Sequence, residues 1–170
     1  MANLVLSEFR CVTETDEIGD DSPYFVIFIG NTGTSFSDVK RLRDPQWDNN
    51  ISSGKLVHVN STVSSGVGTN SLVLVALLEE DNDPDISGQI LTNIKQSMSG
   101  WYNTIFAQGG GISQMEASLK PLFKQHIEAA LSNDDVVAIA RLKVTTLSGN
   151  LNLLHMWGDG GYYRVRFKMA

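Results

Sequence analysis

The chain has 170 residues, of which 42% are apolar and 19% charged, which is enough to bury one globular core unaided and calls for no second domain. Its formal charge of −6 gives a mean field that repels phosphate and argues against nucleic acid as a partner. No apolar run approaches the roughly 18 to 20 residues of a membrane-spanning helix, the opening "MANLVLSEFR" lacks a charged-then-apolar leader, and the lone Cys11 allows no intrachain disulfide or thiolate zinc cluster; a soluble, cytoplasmic protein is expected.

The first element, "NLVLSEFRCVTE", alternates loosely as a strand does and carries Cys11 as a buried structural thiol. Five carboxylates follow, Glu14, Asp16, Glu17, Asp20 and Asp21, immediately before "YFVIFIG", a short continuous apolar run. "KLVHVNSTVSS" alternates with Val57, Val59 and Val63 on one face, and "SLVLVALLEE" reads as a central strand covered on both sides. That strand ends in a second acidic stretch, "EEDNDPD".

From residue 84 to 132 the period changes. Ile86, Ile90, Leu91, Ile94, Met98, Trp101, Tyr102, Ile105 and Phe106 form one face of a helix of about six turns, with Asp83 before Pro84 as the start signal. After "GGG" at 109–111, Ile112, Met115, Leu119, Leu122, Phe123, Ile127, Ala130 and Leu131 repeat the pattern; Ser113 and Glu116 are spaced as a capping box, and Pro121 is expected to bend or interrupt this second helix. Beyond the pair Asp134 and Asp135, "VVAIARLKVTTL" places Val137, Ile139 and Arg141 opposite Ala138, Ala140 and Leu142. "LNLLHMW" is one further strand, and "YYRVRFKM" sets Tyr163, Val165, Phe167 and Met169 against Tyr162, Arg164, Arg166 and Lys168. With "GNTGT", "SSGVGTNS" and "GDGG" as turns, the pattern predicts a mainly β protein, an antiparallel β-sandwich forming a single domain over 1–170, with an α-helical hairpin inserted over 84–132.

Twelve of the 19 acidic residues fall in the three stretches 14–21, 79–85 and 134–135, each at a strand boundary. Asp, Glu, Asn and Gly gather in turns because they cap and solvate them, and one acidic turn asks for no more. Three that met at one end of a sandwich would raise one another's pKa unless a cation intervened. Calcium takes six to eight oxygen ligands from flexible loops, whereas magnesium keeps more of its water. Calcium is therefore the expected cofactor.

"DEIGDDSPYFVIFIG" resembles the first calcium loop and following strand of the C-two (C2) domains, calcium- and phospholipid-binding modules; "VLVALLEEDNDPD" is similar to their second ligand loop, and "NDDVVAIARLKV" to its continuation. The resemblance implies that the helical hairpin is inserted within that loop and that Asp16, Asp21, Asp81, Asp83, Asp134 and Asp135 ligate the metal, with Glu80 and Asp159 in reserve. Ser22 stands where the family has Asp, and Val137-Ala138 replaces its Ile-Gly pair.

Two divalent ions would change the local charge by about +4 and turn that end towards anionic phospholipid. Arg164, Arg166 and Lys168 on the last strand, with Arg141 and Lys143 on an earlier one, would form a basic stripe for lipid or partner contact if those strands were neighbours; a solvated sheet face is the plainer account. The alternative function is structural: an assembly or membrane-interacting protein acting through the hairpin's Trp101, Tyr102, Ile105 and Phe106, without calcium. Catalysis finds little support. His58, His126 and His155 share no zinc spacing, Gly-x-Ser-x-Gly is absent, "GNTGTS" lacks a phosphate-loop Lys, and the clustered acids suggest no glycosidase cleft. The expectation is a non-enzymatic calcium-binding module that engages an anionic membrane surface peripherally, or a protein partner, in a calcium-dependent way.

Overall fold

The computed structural model describes residues 2–15, 21–48, 50–80, 85–86, 88–132 and 134–170. Strands β1 (Ala2–Thr13), β4 (Leu56–Val67), β7 (Gly149–Asn150), β8 (Leu154–Gly158) and β9 (Gly161–Met169) make one antiparallel sheet in the order β4-β1-β9, with β7 and β8 both on the far side of β9. Strands β2 (Pro23–Asn31), β3 (Ser37–Leu42), β5 (Ser71–Glu79) and β6 (Asp135–Lys143) make a second antiparallel sheet in the order β3-β2-β5-β6. Helices α1 (Gly88–Ala107) and α2 (Ile112–Ala130) are inserted between β5 and β6.

The continuous apolar runs of β2 and β5 follow from having two cores to fill. Phe25, Ile27 and Ile29, with Val73, Val75 and Leu77, face the other sheet and meet Leu4, Leu6, Phe9, Tyr163, Val165 and Phe167. Phe9 lies 5.5 Å from the Phe25 ring and 5.1 Å, edge to face, from Trp47, a geometry that aromatic quadrupoles favour. The alternate residues Tyr24, Val26 and Phe28, with Leu72, Leu74, Ala76 and Leu78, face outward and are covered by Ile94, Met98, Tyr102 and Ile105 of α1 and Met115, Leu119, Phe123 and Ile127 of α2. Each such fully buried side chain contributes about 1.5–3 kcal/mol. Gly30 allows the close approach: a Cβ there would sit 2.7 Å from the Tyr102 ring, whose hydroxyl donates to the carbonyls of Asn31 and Thr34.

Four local expectations are corrected. α2 begins after Gly111 with no side-chain cap, and Glu116 pairs with Arg141 instead of closing a capping box with Ser113. Pro121 sits inside α2 without interrupting it. Ile90 and Trp101 lie on the exposed side of α1, Trp101 at 53% exposure, because the stripe that touches the sheet is narrower than the full apolar pattern. In β6 the ladder passes from Leu78↔Val136 to Leu77↔Ala138, so Val137 is an extra residue; it joins Ala138, Ala140 and Leu142 against the inter-sheet core, while Ile139 and Arg141 turn to the hairpin side. β3 was not signalled by the sequence, since "SDVKRL" buries only Val39. The Asp83-Pro84 start signal lies outside the described residues.

Candidate functional site

Strand register brings the acidic segments to one end of the sandwich. Pro23 pairs with Glu79 and Glu79 with Asp135 in one sheet, while Thr13 pairs with Tyr162 and Gly158 with Gly161 in the other. The two sheets are tied at this end through Asp21: its carboxylate accepts from the Thr15 hydroxyl (2.8 Å), the Thr15 amide (3.2 Å) and the Tyr163 hydroxyl, and its backbone bridges to Ile51. Burial, and then Asp21 as the acceptor of its hydroxyl proton, push Tyr163 far above its ordinary pKa.

The neighbouring carboxylates are similarly employed. Glu79 accepts from the Ser22 amide at 2.8 Å. Glu80, also buried, takes two bonds from Arg43 at 2.6 and 2.5 Å, and the same guanidinium reaches Asp48 at 2.9 Å. Asp85 accepts from the Ser132 amide (2.5 Å), the Ser132 hydroxyl (2.7 Å) and the Asp134 amide (3.0 Å), while its own amide donates to Asp134 Oδ2 at 2.7 Å. Asp85 and Asp134 thus each satisfy the other's N–H and clasp the base of the hairpin.

Asp134 Oδ2 also accepts from the Tyr24 hydroxyl at 2.6 Å, but Oδ1 is buried with no hydrogen-bond partner among the described residues, in a side chain only 4% exposed. Burial raises its pKa; the Tyr24 hydroxyl and Asp85 amide oppose the rise, and the charges of Asp85 and Glu80 add to it. A buried anionic oxygen left unsatisfied is costly, and such an atom calls for an explanation. Hard oxygen donors of this kind suit calcium. Asp135, next in the chain, is exposed at the start of β6.

Of the sequence-derived ligands, the structure brings Asp21, Asp134 and Asp135 to this end, together with Glu80. Asp21 has both oxygens hydrogen-bonded to Thr15 and Tyr163, which links the start of β2 to the other sheet. Asp16, Asp81 and Asp83 lie outside the described residues. Asp159 occupies the β8–β9 turn at the same end with φ 48°. Among the described residues no group of three or more His, Cys, Asp or Glu is placed to hold a metal ion. Arg43 and Asp85 were missed; the run "KRLRDP" offers basic residues near the strand end, but nothing local marks which acid each would meet.

The basic residues do not form the expected stripe. Arg141 and Lys143 belong to β6 and Arg164, Arg166 and Lys168 to β9, strands of different sheets whose outer faces point to opposite sides of the sandwich. Arg141 pairs with Glu116, Lys143 is exposed, Arg166 pairs with Glu8 at 3.1 Å, and Lys168 donates to Asn60 at 3.0 Å. The hairpin's apolar face is spent on the four-stranded sheet, and no helix among the described residues is long and apolar enough to cross a membrane.

No family model matches the chain, and no curated protein does. Among solved structures it is similar to one described as a C2 domain, at 9% identity and a TM-score of 0.48, covering 100% of this chain and 99% of that one. It is similar to the C2A domain of plant extended synaptotagmin 1 at 8% identity and a TM-score of 0.40, covering 99% and 92% of the two chains. It also matches human GIVD cytosolic phospholipase A2, solved with a fluorophosphonate inhibitor and terbium chloride, at 11% identity and a TM-score of 0.34, covering 98% of this chain and 16% of that one. The chain is an antiparallel β-sandwich of two sheets with two helices inserted between β5 and β6, and its similarity to the solved C2 domain runs over its whole length at low sequence identity.

Proposed function

We propose that the protein is a non-enzymatic module that binds calcium at the acidic end of the sandwich and, once loaded, engages anionic phospholipid. The observation that carries this reading is the buried Oδ1 of Asp134, which has no protein donor among the described residues and sits beside Asp85 and Glu80. Asp134 and Asp135 would hold the ion together with Asp16, Asp81 and Asp83 of the adjoining segments. Bound calcium supplies positive charge where the chain has concentrated negative charge, so the end that repels an anionic surface would come to attract it.

Thermal unfolding in excess chelator and then in calcium, with magnesium as control, tests the reading. A ligand at 100 times its dissociation constant that binds only the native state adds about 2.7 kcal/mol, or roughly 5–11 °C for a chain of this size. Asp81→Asn with Asp83→Asn, and separately Asp134→Asn, should remove the calcium increment and leave the chelator melt folded. An unchanged increment in these variants, or none in the parent, refutes the site. A parent that gains stability should also co-sediment with phosphatidylserine vesicles only when calcium is present.

A further inference from the structure

The outer face of the five-stranded sheet, on the side of the sandwich away from the hairpin, carries two adjacent arginines that no acid among the described residues pairs with. Arg10 of β1 and Arg164 of β9 are direct cross-strand partners, and Arg164 is in turn opposite His155 of β8. All three are exposed, while Phe9, Cys11, Tyr163 and Val165 between them point inward. Like charges directly opposed on neighbouring strands destabilise a sheet. One row along, Arg166 and His58 share Glu8, at 3.1 and 3.4 Å. Neither Arg10 nor Arg164 has an ion-pair partner among the described residues.

Arg164 is nevertheless held in place. Its Nε donates to the Tyr162 hydroxyl at 3.0 Å and its guanidinium carbon lies 5.6 Å from the Tyr162 ring centre. That hydroxyl also bonds His155 Nδ1 at 2.7 Å, and the ring is stacked against Trp157 with centroids 3.6 Å apart and planes at 8°. Tyr162 therefore positions Arg164 and His155 together and leaves the terminal nitrogens of Arg164 for another acceptor. Beside them Arg10, Arg164, Arg166, Glu8, Leu56 and Leu153 line a shallow depression of about 200 Å³.

We propose that this face is a membrane-docking surface in which Arg10 and Arg164 together take the phosphomonoester of a lipid headgroup, without calcium. Two guanidinium forks match the oxygens of one doubly charged phosphate, and the anion would relieve the Arg10–Arg164 repulsion. The depression is small and shallow, sized for a headgroup more than for a length of peptide backbone, and the face also exposes Leu56 and Trp157, the latter at 64%; indole and arginine together suit the water–lipid boundary. This site is separate from the acidic end and shares with the reading above only the class of partner.

The test is vesicle co-sedimentation in excess chelator, comparing phosphatidylcholine vesicles doped with phosphatidic acid against vesicles of equal surface charge doped with phosphatidylserine. Preferential binding to phosphatidic acid is expected, falling roughly fivefold for each arginine removed in Arg10→Gln and Arg164→Gln, with melting temperatures equal to or above the parent. Tyr162→Phe should weaken binding with the net charge unchanged, which a merely structural role for the arginine pair would not produce. Lys120→Gln with Lys124→Gln, an equal change of charge on α2, should leave binding intact. Equal binding to both vesicle types, or an equal loss in the α2 control, overturns the proposal. So does an Arg10- and Arg164-dependent affinity for a phosphotyrosine peptide with no vesicle binding. Because calcium is absent, failure here leaves the acidic-end reading standing, and calcium-dependent binding to phosphatidylserine can fail independently.

Discussion

Arg43 tests the electrostatic account of the acidic end most directly. It holds buried Glu80 by two bonds, and Glu80 adds to the field on Asp134. Arg43→Met keeps much of the apolar stem but leaves a desolvated carboxylate beside two others. Breaking a buried pair in this way costs about 3–5 kcal/mol, because one charge remains buried without its partner. For a chain of 170 residues, at roughly 2–4 °C per kcal/mol, the midpoint should fall by about 6–20 °C. The assay is calorimetric or circular-dichroism melting at neutral pH and low salt, run as a double-mutant cycle with Glu80→Gln. Glu80→Gln in the Arg43→Met background should restore a large part of the loss, giving a coupling of up to about 3 kcal/mol. A loss under about 1 kcal/mol in Arg43→Met, or strictly additive single variants, would refute the claim that Glu80 depends on this guanidinium.

Three further outcomes are expected. Since the pKa of Asp134 is raised in the folded chain, its proton stabilises the native state below the ordinary carboxylate value near 4, and that contribution is lost as pH rises through the raised value; calcium needs the ionised form, so its stabilising increment should grow over that same window and should be absent at every pH in Asp134→Asn. A flat increment in the parent would separate Asp134 from the metal. Gly158→Ala should destabilise by about 1–3 kcal/mol or more, because the new methyl would lie 1.8 Å from the Val137 carbonyl oxygen, a backbone atom that cannot rotate aside; a neutral result in thermal melts would mean that the β6–β8 approach is looser than described. Cys11, its thiol pushed up to about 11 chiefly by burial, should resist iodoacetamide at pH 8 until the protein unfolds; fast native-state alkylation would contradict its burial.

Much of the fold was legible because burial writes itself into period. β2 and β5 are apolar at every position since each separates two cores, and β9 alternates because its outer face meets water. The hairpin was legible from Ile94, Met98, Tyr102 and Ile105 on one face of α1. β3 was not, because an edge strand with one buried side chain has no period to show. The Val137 bulge was hidden for another reason: an inserted residue of the same apolar type leaves composition unchanged while reversing the faces. At the candidate site the sequence showed that carboxylates gather, and the strand register that joins their segments was implicit in it. It could not show that Asp21 would be consumed by Thr15 and Tyr163 or Glu80 by Arg43, since those partners come from other strands and loops. The basic stripe failed likewise, because sheet membership is a property of topology and not of local pattern.

The placement of the hairpin also orders the assembly of the protein. β5 must wait for β6 across the span from Glu79 to Asp135, a closure whose entropy is costly for a floppy chain. Helices form in about a microsecond, well before distant strands find one another, and α1 and α2 dock on side chains of β2 and β5 that already flank each other in the ladder. The insertion thereby acts as a folded spacer: it consumes most of the intervening chain locally, covers the apolar outer side of β2 and β5, and delivers β6 to the open edge of β5. The Asp85–Asp134 clasp closes that spacer at its base, so the same pair that frames the candidate cation site also sets the point from which the last strand of that sheet is laid down.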